Sequence, residues 1–318
     1  MTRLVTIGLG ADADDVVASD RKIQGGAVSV GNFDGVHRGH QTLLRRLKTL
    51  ADEVDGPAVA VTFDPHPAAL LRPSSAPVPL TTMEERARRM DGVGVDALVV
   101  LKTDDALLRM SADEFYRRLF CQTLAAAAVI EGPNFYYGRD RAGDVRTLSD
   151  ACERDGVRFE IAAATDDDNG MISSSRIRAA LVDGDVAAAA AMMGTPHQIT
   201  GVVVGGDRRG RTIGFPTANL AEVAVVVPAA GVYAAVATFD DRRHPAAVHI
   251  GPNPTFTGSD RNKIEVHVLN FTGDLYGTEM TVEFVRKIRG VRKFDSVEAL
   301  IEQLRRDVRR VGETHRDY

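Results

Sequence analysis

The sequence predicts two folds in series: an α/β domain with a doubly wound parallel sheet, then a small antiparallel β-barrel with a C-terminal helix. Three observations carry this. Short apolar strands alternate with helical-period segments up to the alanine-rich stretch Val186–Met193, the pattern of a parallel sheet with helices on both faces. From Thr195 onward, runs of Val, Ile, Thr and Tyr are broken by Gly, Pro and Asn at a spacing of about 8–12 residues, as in a compact barrel. Helical periodicity returns only after Phe294. The boundary falls between 190 and 198, giving domains 1–192 and 193–318, and 318 residues suit two cores better than one.

Residues 1–24 read as a polar lead-in. Ala27–Val30 is a short buried strand, and Leu43, Leu44, Leu47, Leu50, Ala51 and Val54 recur at helical spacing behind it. Between them runs Gly31-Asn32-Phe33-Asp34-Gly35-Val36-His37-Arg38-Gly39-His40. This is a glycine-rich turn from a strand into a helix N-terminus, where free N–H groups and the positive dipole end suit a phosphate. Two imidazoles, His37 and His40, stand at that same end.

Pro57–Phe63 predicts a second buried strand closing on Asp64-Pro65-His66-Pro67, and 73–79 is a proline-rich loop. Thr82 with Glu85 is a capping box for a helix to about Met90. Ala97–Leu101 is strand-like, and Ser111 with Glu114 caps a helix through Phe120. Ala125–Ile130 is a fourth buried strand, ending at Glu131-Gly132-Pro133-Asn134-Phe135. All three motifs fall at carboxyl ends of strands, where such sheets bind ligands. Residues 166–170 read as an exposed loop. Ser173–Ser175 then open a helix whose Arg176 and Arg178 lie near its positive end, a placement that an anionic partner explains.

In the barrel region, Gly205-Gly206-Asp207-Arg208-Arg209-Gly210-Arg211 is a polar glycine-rich loop, followed by Gly214-Phe215-Pro216-Thr217-Ala218-Asn219-Leu220. Glycines let a backbone approach a phosphate, and a hydroxyl beside an amide can hold hydrated magnesium. The loop lacks the lysine of a Walker motif. Ile264–Val268 alternates apolar and polar, so Glu265 and His267 share a face, and a carboxylate there can accept a proton from a substrate hydroxyl. Asp295 with Glu298 is read as the cap of the last helix.

Composition narrows the field. Lys+Arg 39 against Asp+Glu 44 gives a net charge of −5, with the acidic excess before Thr195. No global field recruits nucleic acid. The two cysteines, Cys121 and Cys152, stand apart from any C-x-x-C or His-rich setting. No apolar run approaches membrane-spanning length, and Asp12, Asp14 and Asp15 stand where a signal peptide is basic then apolar. The expectation is a soluble cytoplasmic protein, without nucleic-acid or membrane partners and with homo-oligomerisation left open.

In collinear order, GNFDGVHRGH, TFDPHP, GPNFYYG and ISSSRIR resemble the adenylylation module of the prokaryotic bifunctional riboflavin kinase/FAD synthetases. GGDRRGRTIGFPTANL, GVYAAV, IGPNPTF and EVHVLNFTGDLYG resemble their riboflavin kinase module. The PTAN box and the D-L-Y-G segment are specific to flavokinases, whereas the first motif alone indicates a nucleotidylyltransferase. The resemblance implies that the riboflavin kinase-like barrel converts riboflavin to FMN with MgATP. The N-terminal domain then transfers AMP from a second ATP to FMN, giving FAD and pyrophosphate.

The resemblance also implies residue roles. Gly31, His37 and His40 would contact the ATP phosphates of the first site, within a nucleotide loop that includes Asn32, Phe33, Asp34 and Gly35. Asn134 would hold the phosphate region, and Ser174 and Arg176 would close over it. Gly205, Gly210 and Arg211 would cradle the kinase nucleotide. Thr217 and Asn219 would bind Mg-ATP and the metal, and Glu265 would be the catalytic base. The flavin of the first site would rest near Asp64, Pro65, His66 and Pro67. His249 stands where the family usually has asparagine. The competing expectation is a flavin-binding regulator or carrier that keeps the fold without turnover.

Overall fold

A computed structural model describes residues 1–9, 22–206, 209–251 and 263–314. The chain divides into two compact units, Met1–Pro77 with Thr81–Ile172 and Val78–Leu80 with Ser173–Tyr318.

The first unit is a six-stranded parallel sheet. Its strands are β1 (Arg3–Ile7), β2 (Ala27–Val30), β3 (Ala58–Asp64), β4 (Ala97–Lys102), β5 (Ala128–Glu131) and β6 (Arg158–Ile161), in the order β1-β4-β3-β2-β5-β6. Its longer α-helices are α1 (Arg38–Glu53), α2 (Met83–Asp91) and α3 (Val145–Asp155), with shorter turns between them. Alternation along the strands builds two cores. Val28, Val59, Val61, Val99 and Val129 face one way, with Phe115, Tyr116, Phe120, Leu148 and Cys152. Ala27, Ala58, Ala60 and Ala128 face the other way, and these small residues let Leu44, Leu47 and Leu50 of α1 lie close on the sheet. A sheet buried on both faces is what the near-continuous apolar strands require.

The second unit opens with α4 (Ser174–Asp183) and α5 (Val186–Met193). Six antiparallel strands follow: β7 (Gln198–Val204), β8 (Ala218–Ala221), β9 (Gly231–Phe239), β10 (Arg242–Gly251), β11 (Lys263–Val268) and β12 (Glu279–Arg289). They close a barrel in the order β7-β8-β11-β10-β9-β12, with β12 returning to pair with β7. Helix α6 (Val297–Thr314) packs on β9 and β10, held by Arg289, whose guanidinium donates to the buried Asp307 carboxylate at 2.8 and 2.9 Å.

The fold class is as the sequence predicts, with four local differences. Residues 3–7 form β1 rather than part of a lead-in; as an edge strand it leaves Arg3 and Leu4 exposed, so no buried run marks it. The helix after Ser111 widens into a π-helix over Tyr116–Thr123, while Tyr116, Leu119 and Phe120 keep the inward spacing of an α-helix. Residues 166–171 form a two-residue ribbon, 166–167 against 170–171, instead of a loop. Helix α6 is capped by Ser296, whose hydroxyl accepts the Ala299 N–H at 3.2 Å, not by Asp295. Among the described residues no helix is long and apolar enough to cross a membrane. Burial pushes the Cys152 thiol up to about 11 and raises that of Cys121.

Candidate functional site

The first site is the turn from β2 into α1. Two apolar side chains anchor it, Phe33 at 2% exposure and Val36 at 0%. Both take positive φ, 46° and 42°, as Gly35 does at 83°. L-residues reach that region at a cost, which the surrounding packing offsets. A Cβ on Gly31 would sit 3.2 Å from the Phe33 ring, so the anchored ring demands glycine there.

Buried and half-buried donors hold the loop carbonyls from behind. Arg86 of α2 donates to the Asn32 carbonyl at 2.9 Å and to Asp34 Oδ1 at 3.1 Å. Thr62 also donates to the Asn32 carbonyl, at 3.0 Å. Arg89 donates to the Gly35 carbonyl at 3.1 Å and Gln41 to the Val36 carbonyl at 2.9 Å. Asp34 Oδ1 further accepts from the Thr81 N–H and hydroxyl. Phe33 and Asp34 therefore turn inward and support the loop, while Asn32 stays exposed and Gly31 half-buried. Thr62, Thr81, Arg86 and Arg89 carry no sequence motif and are legible only from the fold.

His37 is the N-cap of α1, with Nδ1 accepting the His40 N–H at 3.4 Å. Its ring stacks on that of His40, centroids 3.6 Å apart at 18°, and Phe33 meets His40 edge-on at 5.3 Å. His40 Nδ1 is buried without a hydrogen-bond partner. Burial, then the neighbouring charges of His37 and Arg86, hold the His40 pKa well below the ordinary 6.5. The ring is thus neutral at pH 7 and has a single N–H with which to donate to an anion.

The other expected residues of this unit also lie at or beyond carboxyl ends of strands. Asp64 ends β3, and His66 caps the short helix Pro67–Leu71, its Nδ1 accepting the Ala68 N–H at 3.0 Å. Asn134 is exposed beyond β5, its amide 3.8 Å from the Met171 sulfur. Ser174 and Arg176 stand in the first turn of α4, in the second unit, where Ser173 caps the Arg176 N–H.

The second site is built on β8, β10 and β11. Direct register pairs Asn219 with Glu265, and Glu265 with His249, so the three residues share one face of the barrel wall. Asn219 is 8% exposed, and its Oδ1 is buried with no partner. Thr217, two residues earlier, is exposed. A Cβ on Gly206 would collide with the Asn219 amide, and one on Gly210 with the Phe215 carbonyl, whereas Gly205 has open space. Asp207 and Arg208, and the side chains of Arg209 and Arg211, lie outside the described residues, as does 252–262.

Glu265 Oε2 lies 3.3 Å from His249 Nδ1, and its Oε1 3.1 Å from Lys263 Nζ. The His249 hydrogen bond first, then Lys263, hold the carboxyl below the usual carboxylate range against the opposing effect of burial. Alternation turns Val266 and Val268 into a cavity of about 380 Å³, lined also by Val203, Thr217, Ala218 and the 271–276 segment. His267 faces the other way with Glu265, bonding the Pro216 carbonyl at 2.8 Å. Thr217 thus stands where the cavity and the Asn219–Glu265 face meet.

Comparison with known proteins agrees with both units. The FAD synthetase family model matches residues 19–176 and the riboflavin kinase model residues 193–315. The bifunctional riboflavin kinase/FMN adenylyltransferase of Pseudomonas fluorescens is 36% identical over 90% of this chain and 91% of its own. Those of Escherichia coli K12 and Bacillus subtilis 168 are 35% and 34% identical over 89% and 88% of this chain, and over 91% and 89% of theirs. A crystallised Streptococcus pneumoniae protein, described as a macrolide-efflux protein, superposes with a TM-score of 0.86 at 31% identity, over 96% of this chain and 98% of that one. The chain belongs to the family of bifunctional riboflavin kinase/FMN adenylyltransferases.

Proposed function

We propose that this chain converts riboflavin to FAD in two steps, a kinase reaction at 193–318 and an adenylyl transfer at 1–192, using ATP and magnesium in the cytoplasm. The observation that carries the reading is chemical. Each unit holds its own phosphate-suited cradle, one at a helix start with paired imidazoles, one beside an orphaned amide oxygen in register with a carboxylate.

In the kinase step the ribityl hydroxyl of riboflavin attacks the γ-phosphorus of ATP. Glu265 accepts the hydroxyl proton, the P–O bond to the β-phosphate breaks, and ADP leaves. A carboxylate held ionised by His249 and Lys263 is in the right state to do this. The buried, unpartnered Oδ1 of Asn219 and the Thr217 hydroxyl form an oxygen donor set that fits magnesium. When bound, the ion neutralises charge on the transferring phosphoryl group. Gly206 and Gly210 keep the loop backbone close to Asn219 and Thr217, and the adjoining cavity is large enough for part of a nucleotide.

In the second step an oxygen of the FMN phosphate attacks the α-phosphorus of another ATP, and pyrophosphate leaves with the electron pair of the broken P–O bond. The nucleophile is already ionised, so the protein's work is alignment and charge stabilisation. The α1 N-terminus, Gly31, His37 and His40 provide this, and Asn134 holds the phosphate region; the family resemblance gives Ser174 and Arg176 of α4 a role in closing over the phosphates. The segment 64–67 receives the flavin.

A chromatographic assay with riboflavin, ATP and magnesium tests the reading: FMN is expected first, then FAD and pyrophosphate. Stoichiometric flavin binding without ATP consumption overturns it.

A further inference from the structure

Glu131 is a carboxylic acid at 2% exposure in the centre of a parallel sheet. Its Oε1 accepts the Val30 N–H at 2.6 Å. In a parallel sheet, successive N–H groups point to opposite neighbours. The Gly31 N–H goes to the Val61 carbonyl on β3, so that of Val30 faces β5. There the strand pairs of β2 and β5 are Ala27–Ala128 and Val28–Val129. One step beyond, the Val30 N–H is taken by the Glu131 side chain in place of a main-chain carbonyl.

The location gives this substitution meaning. In the order β1-β4-β3-β2-β5-β6 the chain reverses direction between β2 and β5, the switch point at which open α/β sheets bind ligands. Gly31 directly follows Val30, and Gly132 directly follows Glu131. The two loops expected to hold the nucleotide therefore start from the two residues that this bond joins.

We propose that Glu131 is a positioning residue for adenylyl transfer: its carboxyl group fixes the end of β2 against the end of β5, and so sets the Gly31 loop against the 132–134 loop. Burial favours the neutral acid, which leaves no negative charge beneath a polyphosphate. The role needs an acceptor of this length and no charge. It rests on assigning the 31–40 turn to adenylyl transfer, and wild-type FAD formation tests that assignment separately.

The experiment measures FMN adenylylation, with ATP saturation curves, and riboflavin phosphorylation on one preparation of each full-length variant. Glu131→Gln keeps a neutral acceptor at the same reach, and both activities are expected near wild type. Glu131→Val frees the Val30 N–H and is expected to lower kcat/KM for ATP in adenylylation by about ten- to a hundredfold, as misplacement of a reacting group does, with phosphorylation unchanged. Wild-type adenylylation in Glu131→Val, or a loss in Glu131→Gln as deep as in Glu131→Val, overturns the proposal. If Glu131→Val loses both activities through misfolding, Glu131→Asp decides. One methylene short, it is expected to raise the ATP KM where Glu131→Gln does not, and equal behaviour of the two overturns the proposal.

Discussion

His249 Nδ1 lies 3.3 Å from Glu265 Oε2, on adjoining barrel strands in direct register. The histidine thus holds one oxygen of the proposed catalytic base while Lys263 holds the other. Losing one hydrogen bond to a charged group raises the barrier by about 1.4 kcal/mol, a factor of about ten. His249→Ala is expected to lower kcat for riboflavin phosphorylation about tenfold with the riboflavin KM little changed. His249→Asn, which keeps a side-chain donor, recovers part of the loss. FAD formation from supplied FMN is the internal control and stays at the wild-type rate. An unchanged kcat in His249→Ala would show that Lys263 alone positions the carboxylate.

The state of His40 sets a pH dependence. Its pKa in the folded protein is well below 6.5, first because the ring is buried. The unfolded chain binds a proton near pH 6.5 that the folded chain refuses, so stability is lost as pH falls below that value. Glu265 is lowered from 4.5, so its contribution is present above 4.5 and fades as pH falls through its folded value. Across pH 7.5 to 5.5 the difference in melting between wild type and His40→Gln isolates His40, because the opposing contribution of buried Glu131, whose pKa is raised well above 4.5, is common to both proteins. Relative to His40→Gln, wild type is expected to lose stability as pH falls through this range. Binding of ATP, whose negative charge favours the imidazolium, is expected to raise the His40 pKa in ring-proton NMR.

Much of this architecture is written locally. The alternation Ala27-Val28 and Ala58-Val59-Ala60-Val61 encodes a sheet buried on both faces, because each face needs only near neighbours in sequence to be recognised. His37, His40, Thr217 and Asn219 are legible for the same reason, since each motif falls within ten residues or so of a strand end. What escapes such reading is long-range. Arg86 acquires meaning only beside Asp34, 52 residues away, and Glu131 only beside Val30, 101 residues away. Strand β1 escapes for another reason: an edge strand with exposed Arg3 and Leu4 lacks the buried run that marks its neighbours.

The Asp34–Arg86 pair is buried on both sides, with side-chain exposures of 5% and 6% at 3.1 Å. Removing one partner strands the other charge in the interior, at a cost of about 3–5 kcal/mol. Arg86→Met also strips the Asn32 carbonyl of one of its two donors. Arg86→Met is therefore expected to destabilise the first unit by that amount in urea melts and to abolish FAD formation. The double variant Asp34→Asn with Arg86→Met, which leaves no isolated charge, recovers stability but not activity. Recovery of both would mean that the pair supports the fold without shaping the loop.

Two adjacent glycines in the barrel loop make opposite demands. A Cβ on Gly205 meets open space, whereas one on Gly206 collides with the side-chain amide of Asn219. Asn219 is buried and pairs in register with Glu265, so the amide can yield only by swinging its oxygen out of the proposed metal position. Gly206→Ala is expected to lower riboflavin phosphorylation at least about a hundredfold, the scale of losing one charge-stabilising contact in a phosphoryl-transfer site. Excess magnesium restores part of that rate if the loss is in metal affinity. Gly205→Ala, whose methyl meets nothing, stays within about threefold of wild type, which would set Gly205 apart from the nucleotide-cradling role expected of it. Both variants make FAD from FMN normally, which separates a local effect on the kinase site from general misfolding. Equal activity of the two alanine variants would remove the amide from the catalytic assembly.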